Sequence, residues 1–495
     1  MAVELAGLSA HPSRSQTAEP SAAMAWLQPP AGKTADQYLE AAGRAREAYL
    51  GLDRPRADPH ELLRHKFEFA FWRRGLLGQL VDGIGRFRKA EQEAAIEALV
   101  ELGIRLPGRQ LQQVARGVRD PQLLERLLVA QGRGAGRAGG PNVDLKIRAN
   151  RSSAWPLERW AEIRAFSEYD FEDEGVRYRG LHLLPGDVLL SNVNLDGNGL
   201  YTVLADPRSF CSHAAVFAIL EQGGRSLPAV IETYEKGVRA VPLSVFLGAR
   251  FSAYTEVYRH RAMGPAERAR LNRVAPDMLR RVQGYNFDTE DPRRDYQSCT
   301  SVPRFLLEDA GIERIATKSR LADPQIQRNL EQLGYTAFDF FAPVDYMRDE
   351  GFSCVGWMDN DQMARVLTRD LVESRFRGLF SQRAIDPGRL PLRARINRWG
   401  IGHIRRSTRL GRLISRVEGF DHVSLPRGPD DVIALIAPAE AEVGRVIRRT
   451  HPLVTRRLQG LQRERLAALQ GDGEVQGYIT RQLDLPWLVE PSSAR

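Results

Sequence analysis

The spacing of apolar residues changes twice along this 495-residue chain. Between residues 36 and 131, apolar residues recur at the period of an amphipathic helix. Between residues 143 and 370, short apolar runs alternate with turn signals, which is typical of strands with a few helices between them. From residue 371 onward the spacing is helical again. The pattern predicts an α+β fold in which a small antiparallel sheet packs on helices, flanked by N- and C-terminal α-helical regions.

Composition divides the chain further. Residues 1–35 are rich in Ala, Ser and Pro, which predicts a disordered arm. Residues 132–142 are dominated by glycine, which is typical of a flexible linker. We therefore expect five parts, namely a disordered arm (1–35), a helical region (36–131), a Gly-rich linker (132–142), a mixed domain (143–370) and a basic helical region (371–495).

A hairpin signal lies at the centre of the mixed domain. Residues 213–220 and 229–234 are two apolar runs, and the Gln-Gly-Gly-Arg sequence at 222–225 between them is typical of a tight turn. The sequence Leu184-Pro-Gly-Asp-Val-Leu-Leu190 predicts a turn that leads into a strand. A helical pattern begins shortly after Cys299.

Two residues in these elements favour nucleophilic chemistry. A helix N-terminus lowers the pKa of a thiol and offers backbone N–H groups, and Cys299 lies just before such a helix. A thiol also needs a base, and His213 is the polar residue at the start of an apolar strand. The other two cysteines, Cys211 and Cys354, lie in apolar surroundings typical of core positions. We therefore predict that Cys299 and His213 meet as nucleophile and general base.

Glu232 is the candidate for a third member of this site. It lies in the strand after the hairpin, so the hairpin can bring its carboxylate to the imidazole of His213. Such a carboxylate would fix the tautomer of the imidazole and stabilise the imidazolium. His182 is a weaker alternative for the base, and Glu235 is a weaker alternative for the carboxylate. The cysteine spacings favour neither a disulfide framework nor a zinc site, and we expect no metal and no cofactor.

The order of these motifs resembles that of the permuted papain-like cysteine hydrolases, the YiiX/YaeF-like branch of the NlpC superfamily, in which the His strand precedes the Cys helix. The resemblance covers roughly residues 180–360 and implies that residues 143–370 are a papain-like catalytic domain. It implies His213 as general base, Cys299 as nucleophile and Glu232 as the residue that orients His213. The motifs that carry it are Leu184-Pro-Gly-Asp-Val-Leu-Leu190, Ser212-His-Ala-Ala-Val216, Ile231-Glu232, Val241-Pro-Leu243, Tyr285-Asn-Phe-Asp288 and Ser298-Cys299.

The resemblance also implies three candidate substrate-binding residues. Asp187 would be a structural residue at the start of its strand, and Tyr285 and Asp288 would line the approach to the site. The chain departs from the family next to the nucleophile, where the family has Cys-Ser-Glu-Leu and this chain has Cys299-Thr-Ser-Val-Pro303. Because proline lacks a backbone N–H, we expect the helix to begin a residue or more after Cys299.

The net charge of +9 comes mostly from arginine. This charge reflects either the codon bias of a GC-rich genome or an anionic partner. Residues 403–417 combine apolar residues at helical spacing with arginines, which indicates a basic amphipathic helix. Either this helix has a solvated outer face or it binds an anionic membrane surface. The arginines concerned are Arg405, Arg409, Arg412 and Arg416.

These features favour an enzyme that acts on an acyl- or peptide-type substrate. The first hypothesis is a cysteine hydrolase that cleaves an amide, ester or thioester through an acyl-enzyme on Cys299. One alternative is an acyltransferase of the lecithin:retinol acyltransferase type, and another is a catalytically inert binding module. We expect no nucleic acid partner, because aromatic residues do not interleave with the basic run. We found no signal peptide or transmembrane pattern and expect a cytoplasmic protein, with the basic helix as a candidate for peripheral contact with a membrane.

Overall fold

The computed structural model describes somewhat more than half of the chain, and most of the predicted mixed domain is included. The described residues are 35–52, 83–101, 106, 108–130, 170–172, 174–178, 181–193, 211–222, 224–234, 237–247, 252–282, 284–286, 296–313, 315, 319–332, 339–359, 363–389, 423–424, 429–458, 472–483 and 485–490. The predicted arm before residue 35, the Gly-rich linker, Glu235, Asp288 and the basic helix at 403–417 lie outside these residues.

The described helices and strands are numbered here in chain order. The helices α1 to α12 are Ala35–Leu50, Lys89–Glu101, Gly108–Gly117, Pro121–Ala130, Leu243–Phe246, Pro265–Arg281, Ser301–Asp309, Pro324–Gln332, Pro343–Arg348, Met363–Gln382, Pro429–Leu458 and Gly473–Gln482. The strands β1 to β16 are Asp170–Glu172, Gly175–Tyr178, Leu181–Leu183, Val188–Val193, His213–Gln222, Arg225–Tyr234, Gly237–Pro242, Ser252–His260, Gly284–Asn286, Tyr296–Gln297, Ser319–Arg320, Asp339–Phe340, Phe352–Asp359, Ala384–Ile385, Val423–Ser424 and Leu488–Val489.

Six strands form the main sheet in the order β13-β8-β4-β5-β6-β7, and every neighbouring pair is antiparallel. The predicted hairpin, β5–β6, forms the fourth and fifth strands of this order. Gly224 in the hairpin turn has a φ of +73°, a conformation that glycine adopts without steric cost. The predicted α+β fold with a small antiparallel sheet is confirmed.

Strand β5 is buried on both faces, and this explains why its apolar run is continuous rather than alternating. Ala214, Val216 and Ala218 belong to the core on the side of the sheet where α6 and α7 pack. Ala215 and Phe217 point the other way, into a second apolar cluster that also contains residues of β3 and α5. The burial keeps this strand rigid, and His213 is its first residue.

The turn before β4 has the predicted form. Gly186 has a φ of +92°, and a Cβ atom there would lie 2.1 Å from the sulfur of Met263, so only glycine fits. Asp187 accepts a hydrogen bond on Oδ2 from the backbone N–H of Leu184 at 2.8 Å, which closes the turn. This turn leads the chain into the middle of the sheet.

The C-terminal helices pack onto the sheet as well as onto one another. Helix α10 contacts α11, α12 and β8. Within α10, Arg369 donates a hydrogen bond to Oδ1 of Asn192 in β4 at 2.9 Å. Helix α10 runs through residue 370, where we placed a domain boundary, so that boundary does not coincide with a break in secondary structure. No helix in the described part of the chain is long and apolar enough to cross a bilayer.

Candidate active site

Three neighbouring strands bring His213, Glu232 and Arg239 to one end of the main sheet. His213 begins β5, and Glu232 lies near the end of its antiparallel partner β6. The register pairs Val216 with Ile231, so alternation of side chains puts His213 and Glu232 together on the opposite face. Glu232 in turn lies directly across from Arg239 in β7.

The carboxylate of Glu232 joins the other two side chains. Its Oε2 lies 2.9 Å from Nε2 of His213. Its Oε1 accepts a hydrogen bond from Nε of Arg239 at 2.7 Å and forms an ion pair with Nη2 of the same residue at 2.6 Å. The side chain of Glu232 is only 1% exposed, and those of His213 and Arg239 are 12% and 13% exposed. The structure therefore brings two of the predicted residues together and adds an arginine that we did not predict.

Cys299 lies in a tight turn just before α7, and two serines hold this turn. The backbone N–H of Ser298 donates to Oγ of Ser301 at 2.7 Å, and the backbone N–H of Ser301 donates to Oγ of Ser298 at 3.1 Å. This reciprocal pair closes the turn just ahead of the helix, whose N-cap residue is Thr300. Helix α7 begins at Ser301, as Pro303 led us to expect, and a proline in the first turn removes no intrahelical hydrogen bond.

Three further hydrogen bonds attach this turn to the rest of the domain. Thr233, the neighbour of the carboxylate residue in β6, donates to the carbonyl of Ser298 at 3.0 Å. The hydroxyl of Tyr346 donates to the carbonyl of Thr300 at 2.7 Å, and Oγ1 of Thr300 donates to the carbonyl of Phe341 at 2.9 Å. Burial raises the pKa of Tyr346 well above its ordinary value, so its hydroxyl keeps the proton that it donates.

The side chain of Cys299 lies within hydrogen-bonding reach of the imidazole of His213 and raises the pKa of that imidazole. Because Nε2 faces the carboxylate of Glu232, Nδ1 is the ring nitrogen left for the sulfur. Cys299 is partly exposed, whereas Cys211 and Cys354 are buried. The predicted nucleophile, base and orienting carboxylate therefore lie in contact in that order.

Neighbouring charges in the site shift the pKa values of His213 and Glu232 in opposite directions. Burial by itself lowers the pKa of His213, but the hydrogen bonds with Cys299 and Glu232 and the negative charges of both residues outweigh it and raise the pKa from 6.5 to about 10. Burial likewise raises the pKa of Glu232, but the hydrogen bond with His213 and the positive charge of Arg239 outweigh it and hold the pKa below its ordinary value. The favoured state is therefore an imidazolium next to a carboxylate.

The structure places Asp187 away from this site. The carboxylate of Asp187 accepts hydrogen bonds from Nε and Nη2 of Arg259 at 2.8 and 2.7 Å, and its own backbone carbonyl accepts one from Phe217. Phe217 is four residues along β5 from His213, which is roughly 13 Å at the rise of a strand. The contacts of Asp187 are those of a buried structural residue.

Tyr285 lies closer to Cys299 than Asp187 does, because its strand pairs with the residues just before Cys299. It pairs with Gln297, two residues before Cys299, in the small parallel sheet β10-β9-β15. The side chain of Tyr285 and all of Asp288 lie outside what the structure describes, so their roles stay predictions. The alternative base, His182, is in β3 of a separate sheet, opposite Arg177. Among the described residues, no cluster of three His, Cys, Asp or Glu side chains could hold a metal ion.

Sequence reasoning missed the residues that support this site from a distance. The one available signal for Arg239 was a polar residue in the short apolar run Val238-Arg-Ala-Val241 after the hairpin, where we predicted no strand. Thr233 and Tyr346 gave no local signal, because hydrogen bonds to the cysteine turn depend on tertiary contacts.

A His strand that precedes a Cys helix, with a carboxylate on the adjacent strand, defines a permuted papain-like domain. Residues 182–331 match a family model described as "Permuted papain-like amidase enzyme, YaeF/YiiX, C92 family". The predicted resemblance is thus confirmed for this part of the chain, and with it the class of papain-like hydrolase enzymes. Searches of curated proteins and of solved structures give no match to the chain.

Proposed function

We propose that this protein hydrolyses an amide, ester or thioester through an acyl-enzyme on Cys299. The observation that supports this most strongly is the continuous set of contacts from the thiol of Cys299 through the imidazole of His213 to the carboxylate of Glu232. A thiol that is paired with an imidazole is the common form of an activated cysteine nucleophile. The amidase description of the matching family supports the same class of reaction.

The first half of the reaction consumes the thiolate–imidazolium pair. The sulfur of Cys299 attacks the carbonyl carbon and forms a C–S bond, while the carbonyl π electrons move to oxygen. When the tetrahedral intermediate collapses, the bond to the amine, alcohol or thiol breaks. The proton on Nδ1 of His213 passes to that leaving group, which leaves an acyl-enzyme and a neutral imidazole.

The second half restores the pair. Neutral His213 accepts a proton from water as the water oxygen attacks the thioester carbonyl. Collapse expels the sulfur as thiolate and releases a carboxylic acid, and the imidazolium again faces the thiolate. Throughout the cycle, Glu232 stays ionised, keeps the imidazole oriented and stabilises its protonated form.

The turn that holds Cys299 also limits which groups bind the oxyanion. The N–H groups of Ser301 and Val302 are both hydrogen-bonded to Ser298, so they are not the donors. We assign the backbone N–H of Cys299 itself to the developing oxyanion, since it lies on the nucleophile's own residue. The reciprocal serine pair keeps that peptide fixed while the charge develops.

Covalent labelling at controlled pH tests the proposal. The protein would carry Cys211→Ser and Cys354→Ser, so that Cys299 is its one thiol, and would react with iodoacetamide between pH 5 and 10, followed by intact-mass measurement. We expect alkylation to persist below pH 7, to vanish in Cys299→Ala and to lose its low-pH part in His213→Ala. His182→Ala is the matched control and should leave the profile unchanged.

Turnover then distinguishes the remaining hypotheses. Incubation with activated acyl esters, thioesters and amides should release the free acid in the presence of water. Transfer of the acyl group to an added alcohol or amine in preference to water would indicate an acyltransferase instead. Cys299 that alkylates with a midpoint near about 8.5, as a free thiol does, would indicate an inert module and overturn the proposal.

A further inference from the structure

Arg239 contacts Oε1 of Glu232, the carboxylate oxygen that does not face His213. Its two contacts with Glu232, from Nε at 2.7 Å and from Nη2 at 2.6 Å, both reach Oε1, while Oε2 lies 2.9 Å from the imidazole. The pair is almost completely shielded, because the carboxylate is 1% exposed and the arginine is 13% exposed. The two residues lie directly opposite each other across the β6–β7 ladder, so backbone register fixes the approach.

We propose that Arg239 is a positioning residue that acts on the nucleophile through Glu232 and His213. This role of Arg239 rests on the proposed function, and it adds a fourth residue to the array of Cys299, His213 and Glu232. By occupying Oε1, the guanidinium holds the carboxylate in the one orientation that presents Oε2 to the imidazole. By its charge, it keeps the carboxylate ionised in a place where burial favours the neutral acid.

The charges of the array explain why this contact is more than a structural ion pair. In the reactive state the thiolate, imidazolium, carboxylate and guanidinium alternate in sign and sum to zero. Without Arg239 the other three carry a net negative charge in a buried place, so they bind a proton more readily. That proton goes to the thiolate or to the carboxylate, and in either case the reactive state is lost at a higher pH than before.

Among the described residues, His213 and Arg239 are the charged groups that shift the pKa of Glu232. The groups that face Glu232 are His213 from β5 and Arg239 from β7. Helix α5 packs against β6 and β7, but its four residues, Leu-Ser-Val-Phe, carry no ionisable group. Strand β9 also contacts both strands and contributes only a tyrosine among ionisable residues. Helices α6 and α7 also contact β7 and β6, and α7 carries Arg304, Glu308 and Asp309, but both helices pack on the other face of the sheet. The side chain of Cys299 interacts with the imidazole of His213, which in turn contacts the carboxylate of Glu232.

The pH dependence of Cys299 alkylation tests this inference, in the same single-thiol protein. We expect Arg239→Met to move the acid limb upward by about 0.5 to 1 pH unit and to slow alkylation at pH 6 by about three- to tenfold. Arg239→Lys keeps the charge, so its acid limb should stay near that of the parent protein. Arg239→Gln keeps hydrogen-bond donors without the charge and is the second neutral variant if Arg239→Met does not fold.

The control removes an arginine from a cross-strand ion pair in another sheet. Arg177 pairs with Glu172 at 2.7 Å, and Arg177→Met changes the net charge by the same amount. Circular dichroism melting of each variant reports folding separately from reactivity. An upward shift in the neutral Arg239 variants, but not in Arg239→Lys or Arg177→Met, supports the inference.

Two results would overturn it, and they are distinguishable. If His213→Ala removes the low-pH reactivity while the neutral Arg239 variants keep the parent's acid limb, Arg239 is a structural residue and the proposed function stands. If His213→Ala leaves the profile unchanged, the proposed function fails and the role of Arg239 fails with it. An equal shift in Arg177→Met would also overturn the inference, because general surface charge would then explain the result.

Discussion

At the scale of single residues, the charge of His213 depends on its neighbours more than on its own intrinsic pKa. Burial alone would make this imidazole neutral at physiological pH. Cys299 on one side and Glu232 on the other reverse that preference and raise the pKa to about 10. The imidazole is therefore an imidazolium over the whole range in which most proteins work, and it can pass a proton to a leaving group without first collecting one from solvent.

Removing the thiol should reverse part of this shift. In Cys299→Ala, one hydrogen bond and one negative charge are lost while burial and Glu232 remain, so we expect the pKa of His213 to fall. At pH 8 its protonated fraction should therefore decrease. Nuclear magnetic resonance titration of ¹³C-labelled histidines measures this, with His213→Ala to assign the signal. Cys354→Ser should leave it unchanged, and a His213 that titrates near 6.5 in the parent protein would contradict the prediction.

At the scale of elements, buried side chains join helices that are far apart in the chain. Asn329, in α8, is 0% exposed and donates from Nδ2 to the carbonyls of Phe380 and Arg383, both at 2.8 Å. Its Oδ1 accepts the backbone N–H of Ile385 at 3.1 Å. The last carbonyls of a helix have no intrahelical donor, so this amide caps the C-terminus of α10.

Loss of this cap should destabilise the fold. Asn329→Ala leaves the carbonyl of Phe380 and the N–H of Ile385 without this partner in a buried place, whereas the carbonyl of Arg383 keeps its hydrogen bond from Gln325 at 3.3 Å. The loss costs about 2–4 kcal/mol of the free energy of unfolding. Urea denaturation followed by circular dichroism measures the difference. Ser374→Ala, at an exposed position of α10, should change the free energy of unfolding by less than about 0.5 kcal/mol. A loss in Asn329→Ala as small as in this control would show that α10 does not need the cap.

At the scale of the whole molecule, the papain-like unit accounts for less than half of the chain. The family match ends at residue 331, inside α8, whereas α9 to α12 follow it and the helices before β1 precede it. The cap from Asn329 and the hydrogen bond between Arg369 and Asn192 fasten α10 onto this unit. The proposed hydrolase therefore works with helical flanks attached, and the basic segment lies in the C-terminal flank.

The basic segment gives a prediction for the intact protein. We expect the full chain to float with vesicles that contain anionic lipid at low salt and to detach as salt rises, since each arginine near such a surface contributes about 1 kcal/mol. Replacing the four arginines of the predicted helix by glutamine should abolish flotation. These are Arg405, Arg409, Arg412 and Arg416.

A matched variant separates this effect from net charge. It replaces four exposed arginines that form ion pairs elsewhere, and it should still float. These are Arg44, Arg88, Arg126 and Arg280. Absence of flotation by the parent protein at low salt, or equal loss in both variants, would count against a membrane-binding helix.

Local sequence signals were enough to predict the elements that carry the site. The turn with Gly186, the hairpin that contains His213 and Glu232, and the late start of the helix after Cys299 each depend on neighbours a few residues away. Backbone conformation, strand alternation and helix capping depend on residues within that range, which is why local sequence patterns predict them. The order of those elements was also enough to indicate the papain-like family.

Only the tertiary structure decided which of these elements meet. The contact between His213 and the thiol of Cys299, and the bond from Thr233 to the cysteine turn, join segments that are far apart in the chain. No local pattern encodes such a distance, because it results from the packing of the whole sheet against its helices. The same packing left Asp187 in a structural ion pair and added Arg239 to Glu232. The sequence by itself thus determined the parts and their order, and the sheet determined their contacts and charges.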